Sequence, residues 1–179
     1  MLRLIKNIKL FINEVYIYII IFLFPVLING QNLSTKIEKS TLKFKELFLN
    51  KNFESLSEFA SPKLIDYLKS KQDLVFLFSK LTKEVEIKGL KIININFGKT
   101  SEIINYKNQL QTTIPFSLEV ENNYKKVIFT AGLALISFDK GESWFYTFKI
   151  ETDPKINNEI LDLDFRINIL ERNQNVINK

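Results

Sequence analysis

The sequence predicts an α+β domain: N-terminal helices packed on a curled antiparallel sheet, preceded by a signal helix. Apolar side chains recur at three- and four-residue spacing as far as Leu81, and after Gly89 the apolar period becomes two. Helices come first and strands follow, rather than alternating as they do around a parallel sheet.

The first thirty residues decide the compartment. Val15 to Ile28 is a run of 14 residues without a charge, behind Arg3, Lys6 and Lys9. As a helix at ~1.5 Å per residue it spans roughly 21 Å, short of the ~30 Å hydrocarbon core. A secretory signal needs only about 7 to 15 apolar residues after a basic start and small residues at the cut. Residues 1–30 therefore read as a signal peptide cleaved after Gly30, although Ile28 is bulky for its place before the cut. In the alternative, residues 10–28 form an uncleaved anchor, with Glu14 carrying the cost of a carboxylate in the bilayer. Either topology keeps the basic end inside and exports the remainder to the periplasm or beyond, or holds it at the inner membrane. Membrane contact is expected only through residues 10–28, and only if they are retained.

Residues 31–165 read as one domain. Ile37, Thr41, Phe44, Leu47 and Phe48 make a helical stripe that stops at "LNKN". Phe53, Leu56 and Phe59 mark a short second helix. Ser61 then caps a third with Pro62 at its first position, and Leu64, Ile65 and Leu68 face inward. A fourth piece from Gln72 carries Leu74, Leu77, Phe78 and Leu81. Among the strands, Ile93, Ile95 and Phe97 alternate with Asn94 and Asn96. In "QLQTTIPFSLEV" an apolar face opposes one carrying Gln111, Thr113, Ser117 and Glu119, and Pro115 marks an edge or a bulge. "YKKVIFTAGLALISFD" is apolar on both faces, which suits a central strand, and Gly132 in its middle suits a sharp bend. "DKGES" turns the chain into "WFYTFKI". A short helix follows Asp153-Pro154, and residues 166–179 read as a polar, flexible tail.

The stretches "FKELFLNKNFESLSEFASPKLIDYL" and "LALISFDKGESWFY", with Asp139, Gly141 and Trp144 in the second, resemble the nuclear transport factor 2-like (cystatin-like cone) superfamily, and more closely its uncharacterised exported bacterial branch. The likeness covers residues 35–152. It implies a cone of curled sheet closed by helices. The superfamily includes polyketide cyclases, ketosteroid isomerase and dehydratases alongside members without catalysis, so the resemblance assigns no chemistry. Its enzymes often set an Asp or His in the cone with a Tyr beside it.

The chain has neither His nor Cys. Ser-His-Asp and Cys-His arrangements, thiol nucleophiles, conventional zinc or copper sites, disulfides and a lipid-bearing cysteine are thereby excluded. Asp162 and Asp164 in "LDLDFR" are too few oxygen ligands for a calcium loop. Net charge is +5. Removing the three basic residues and one acid of the first thirty leaves 22 minus 19, or +3, with lysines interleaved among acids, which is no footprint for nucleic acid. Tyr67, Tyr106, Tyr124 and Tyr146 are available for proton transfer, but no carboxylate falls on an inward strand position. Asp66, Asp73, Asp139, Asp162 and Asp164 read as solvated. No catalytic, cofactor or metal residue is assigned, and no cofactor is expected. Phe116, Tyr146 and Phe148 are the candidate lining of a ligand pocket.

The expected function is an exported, non-catalytic binding or accessory domain of the bacterial envelope, holding an apolar small molecule or an envelope protein. The alternatives are a membrane-tethered assembly factor and a small isomerase- or dehydratase-type enzyme using Tyr and a carboxylate. Intact-mass measurement of the protein purified from its producing cells is expected to find a chain beginning at Gln31. One still beginning at Met1 would remove the cleavage reading.

Overall fold

The computed structural model describes residues 32–179, so the expected signal peptide or anchor lies outside the described residues. Helix α1 covers residues 32–49. Its buried stripe is the expected one, Ile37, Thr41, Phe44, Leu47 and Phe48. At its end Lys51 N donates to Phe48 O and Asn52 N to Leu47 O, with Lys51 in the left-handed region at φ 54°. Asn52 then caps α2 (Phe53–Ser57), and Ser61 caps α3 (Pro62–Leu68) by accepting from Leu64 N at 3.3 Å. Ser70 caps α4 (Lys71–Ile87). This helix closes in a Schellman motif, Gly89 N donating to Glu86 O and Leu90 N to Val85 O, for which Gly89 takes φ +67°. The buried positions of α4 are Leu74, Phe78 and Thr82, so Leu81, expected inside, is exposed. Thr82 tolerates burial because its hydroxyl donates to Phe78 O.

The strands are β1 (Lys91–Phe97), β2 (Ile104–Tyr106), β3 (Gln109–Glu121), β4 (Lys125–Ser137), β5 (Phe145–Phe148) and β6 (Asn173–Asn178). They form one antiparallel sheet, curled and open, which with the helices makes an α+β fold. Its spine is the β3–β4 ladder, in register from Leu110↔Ser137 to Glu121↔Lys126. Each long strand carries two short ones on its far side: β1 and β2 along β3, and β6 and β5 along β4. β4 is thus the central strand that its two apolar faces predict.

Pro115 occupies the gap between β1 and β2, where its carbonyl accepts from Gly98 N at 2.8 Å, an interrupted edge as expected of a strand proline. Gly132 lies opposite it on β4. Its role is close approach rather than the expected bend. Gly132 N donates to Leu170 O at 3.0 Å, and a Cβ at this position would lie 2.7 Å from Leu170 N. On β1 the register shifts between Ile92 and Asn94, turning Ile93 outward to 47 % exposure where alternation had placed it inward.

Helices α1 to α4 contribute to the same core as the sheet face carrying Ile114, Leu133, Leu135 and Tyr146. The opposite face, with Ala134 and Ile136, belongs to that core through Leu161, Leu163, Ile167 and Ile169 of the returning chain. The turn into that chain is α5 (Pro154–Ile160), the short helix expected after Asp153-Pro154, and Asp153 caps it. Two expectations fail here for one reason. Gln111 is fully buried instead of solvated: its amide donates to Asp162 O at 3.0 Å and accepts from Asp164 N at 2.9 Å, stitching the returning chain to β3. The segment 166–179, expected as a polar flexible tail, instead buries Ile167 and Ile169 and ends in β6, paired with β4 from Thr130↔Asn173 to Lys125↔Asn178.

Gly132→Val is expected to destabilise the protein by about 1–3 kcal/mol, because the added atoms meet backbone that cannot rotate away. Chemical denaturation measures this, and an unchanged midpoint would show that Leu170 is not held against β4.

Candidate functional site

The residues expected to line a pocket, Phe116, Tyr146 and Phe148, are brought into one region of packed aromatic rings. Tyr146 lies on β5 opposite Leu135 and is 3 % exposed. Its backbone is clamped on the free side of β5 by the α2–α3 connector: Tyr146 N donates to Phe59 O and Ser61 N to Tyr146 O, both at 2.8 Å. Its hydroxyl donates to Leu56 O at 3.2 Å. The ring stands edge-on to Phe44, with centroids 4.9 Å apart, and tilts against Phe78 at 6.4 Å. Phe148 meets the same Phe78 at 6.3 Å. Phe116 packs on Phe97 at 6.1 Å, and Phe97 meets Phe44 edge-on at 5.9 Å. Phe48 and Phe53 extend the cluster on the helix side. Aromatic pairs of this geometry are worth about 0.5–1.5 kcal/mol each beyond the area they bury.

The enclosed space beside Tyr146, lined among others by Thr41, Phe44 and Trp144, is about 10 Å³. That is about the size of one water molecule's probe sphere. Trp144 is buried, and its indole N–H has no hydrogen-bond partner among the described residues. Phe129 is half-buried with the Arg172 guanidinium 4.9 Å above its ring. A larger, open groove of about 440 Å³ runs over α1 and α2, lined by Lys43, Glu46, Asn50, Asn52, Glu58 and Phe59, among others. Phe59, expected in the core, is 41 % exposed there. The groove's carboxylates are engaged, Glu46 with Lys43 at 3.2 Å and Glu58 with Lys71.

The titratable groups stand mostly at the surface. Burial pushes the Tyr146 phenol upward, and among the described residues no carboxylate hydrogen-bonds it. Tyr67 is the tyrosine that does meet a carboxylate, donating to Glu151 at 3.2 Å, but the pair is exposed and the interaction raises the Tyr67 pKa. Lys107 covers the Tyr106 ring, and Tyr124 stands exposed at the β3–β4 turn. Asp164, expected in solvent, is buried and held bidentately by Arg166 at 2.8 and 3.1 Å, which lowers its pKa. Asp139 is lowered to about 2 by accepting from Ser143 N at 2.9 Å and from the Ser137 hydroxyl at 2.8 Å. Gly141 follows at φ +94°, and an added Cβ would lie 2.0 Å from Leu33 of α1. The "DKGES" turn is therefore a structural joint between α1 and the sheet. Among the described residues no cluster of three or more acidic side chains is placed to hold a metal ion, and no helix is long and apolar enough to cross a membrane.

No family model, curated protein or solved structure matches the chain.

Asp139 has a folded pKa below its ordinary 3.8, so its contribution to stability is present above about pH 4 and lost as pH falls through about 2. Asp139→Asn is expected to lower the denaturation midpoint at pH 7, with the gap to wild type closing between about pH 4 and pH 2. A gap independent of pH would place the effect elsewhere than in the carboxylate.

Proposed function

We propose that the chain is an exported, non-catalytic binding or accessory domain of the bacterial envelope, built on a cone of the nuclear transport factor 2-like kind, and that it meets a protein partner through its outer surface. The filled interior carries this reading. A site for a lipid-like or aromatic ligand needs roughly 300 Å³ or more, and the space beside Tyr146 is about 10 Å³. The aromatic rings of α1, α2 and α4 take the place such a ligand would need. The Tyr-and-carboxylate enzyme reading gains nothing from Tyr146, whose hydroxyl is given to a backbone carbonyl. A tether at residues 10–28 would change where the domain works and leave the same surface for the partner.

Native mass spectrometry after incubation with a lipid extract of the producing cells' envelope tests the reading. The expected result is the bare protein mass. A stoichiometric lipid adduct that weakens in Phe148→Trp, where the larger ring competes for the same space, would overturn it and restore the apolar-ligand form.

A further inference from the structure

The β6 strand leaves one edge open. Among the described residues it pairs with β4 alone, and all six of its residues are exposed. Lys179 N donates to Tyr124 O at 2.9 Å, so by alternation the backbone groups of residues 173, 175 and 177 face β4. Those of Gln174, Val176 and Asn178 face away from the sheet, with no strand beside them among the described residues. Monomeric sheets usually blunt such an edge with charge, proline, a bulge or a covering loop. The stretch "NQNVIN" has no charge and no proline, and its register with β4 is unbroken. The other outer strands differ: β5 is sealed by residues 59–61, β1 carries Lys91 and a register shift, and β2 is three residues long.

We propose that this edge binds a second copy of the chain, the two β6 strands pairing antiparallel about a two-fold axis at Asn175. A two-fold axis perpendicular to the sheet keeps each face of β6 on its own side, so only residues of like parity can stand opposite one another. The outward-facing backbone groups must also meet their like. Centring on Asn175 satisfies both conditions, setting Gln174 against the partner's Val176 and Val176 against the partner's Gln174. The same register sets Glu171 against the partner's Lys179 at both ends, opposite charges on one face framing an uncharged strand. Centring on Val176 instead faces Lys179 with the partner's Asn173 and forms no charge pair. Within one chain Glu171 already meets Lys149 at 2.5 Å and Lys179 meets Glu121 at 2.8 Å, so the new pairs would join two existing ion pairs across the junction. This inference does not depend on export or on the partner proposed above.

The chain has no cysteine, so single cysteines report position cleanly. Asn175→Cys would face its own copy in a non-hydrogen-bonded pair with Cα atoms ~4.5 Å apart, inside the ~4.4–6.8 Å range of a disulfide. Ile177→Cys lies on the same face but would be offset from its copy by four residues along the strand, beyond that range. Full chain in mild detergent is oxidised with copper phenanthroline and run on a non-reducing gel. The expected result is a covalent dimer from Asn175→Cys and monomer from Ile177→Cys. Adding Val176→Pro to Asn175→Cys is expected to abolish the dimer, because it removes an outward N–H while leaving the bonds to β4, and circular dichroism checks that the sheet persists. Equal cross-linking through Cys at 175 and at 177, no cross-linking at all, or a dimer that survives Val176→Pro in a folded protein would each overturn the proposal.

Discussion

Pro115 and Gly132 face each other at the middle of the β3–β4 ladder, and the layout of the whole sheet follows from where their backbone groups point. Gly132 N goes outward to Leu170 O, and Pro115 O goes outward to Gly98 N. The pair is therefore one of the ladder's non-hydrogen-bonded positions, and the N–H that proline lacks would have pointed away from β4. The spine loses nothing at this point. The flanks do: no strand can run past Pro115 on one side, and a chain crossing at Gly132 fills the other. Each long strand accordingly carries two short partners with the break at the same level.

That crossing explains how so polar a segment as "NQNVIN" becomes a strand. Its residues have no apolar period and all remain exposed, so side-chain burial cannot hold them. What holds them lies upstream. Leu161, Leu163, Ile167 and Ile169 are buried in the core, and the Gln111 amide fastens the backbone at Asp162 and Asp164. Leu170 is bonded to Gly132, and three residues later β6 begins beside Thr130. Loop closure over so few residues costs little entropy. Pairing then satisfies the outer backbone groups of β4, which would otherwise be the exposed edge. The open edge is moved one strand outward, onto a strand without charge.

What was legible in the sequence was what local chemistry decides. The caps at Ser61 and Asp153 need only a hydroxyl or carboxylate ahead of a proline at the first helical position, and both are present. The two apolar faces of β4 and the Gly141 turn are of the same kind. What was not legible depended on distant chain. Gln111 reads as solvated because nothing near it announces that residues 161–170 will cover that face. Asp164 reads as solvated because its burial follows from the same crossing, and "NQNVIN" reads as frayed because its stability is borrowed from its neighbours. Phe59 and Leu81 miss by phase: α2 ends at Ser57, and the buried row of α4 passes through Thr82 rather than Leu81. The site was legible in part. Phe116, Tyr146 and Phe148 do share one inner region, but whether that region is hollow is a question of summed side-chain volume, which alternation does not measure.

The volume is settled by where the aromatic side chains fall. Four rings come from helices, Phe44, Phe48, Phe53 and Phe78, and four from strands, Phe97, Phe116, Tyr146 and Phe148. A curled sheet leaves a cavity when the helices packed on it leave room over its inner face. Here the helices bring the largest apolar side chains to the same place as those of the strands. Tyr146 locks the arrangement, because its backbone N–H, carbonyl and hydroxyl are all given to the α2–α3 region, tying the helical layer to β5 through three hydrogen bonds at one residue. Opening a cavity would separate stacked rings and break those bonds together, whereas the outer surface can be changed without touching either. A domain without disulfides gains its rigidity from this cluster.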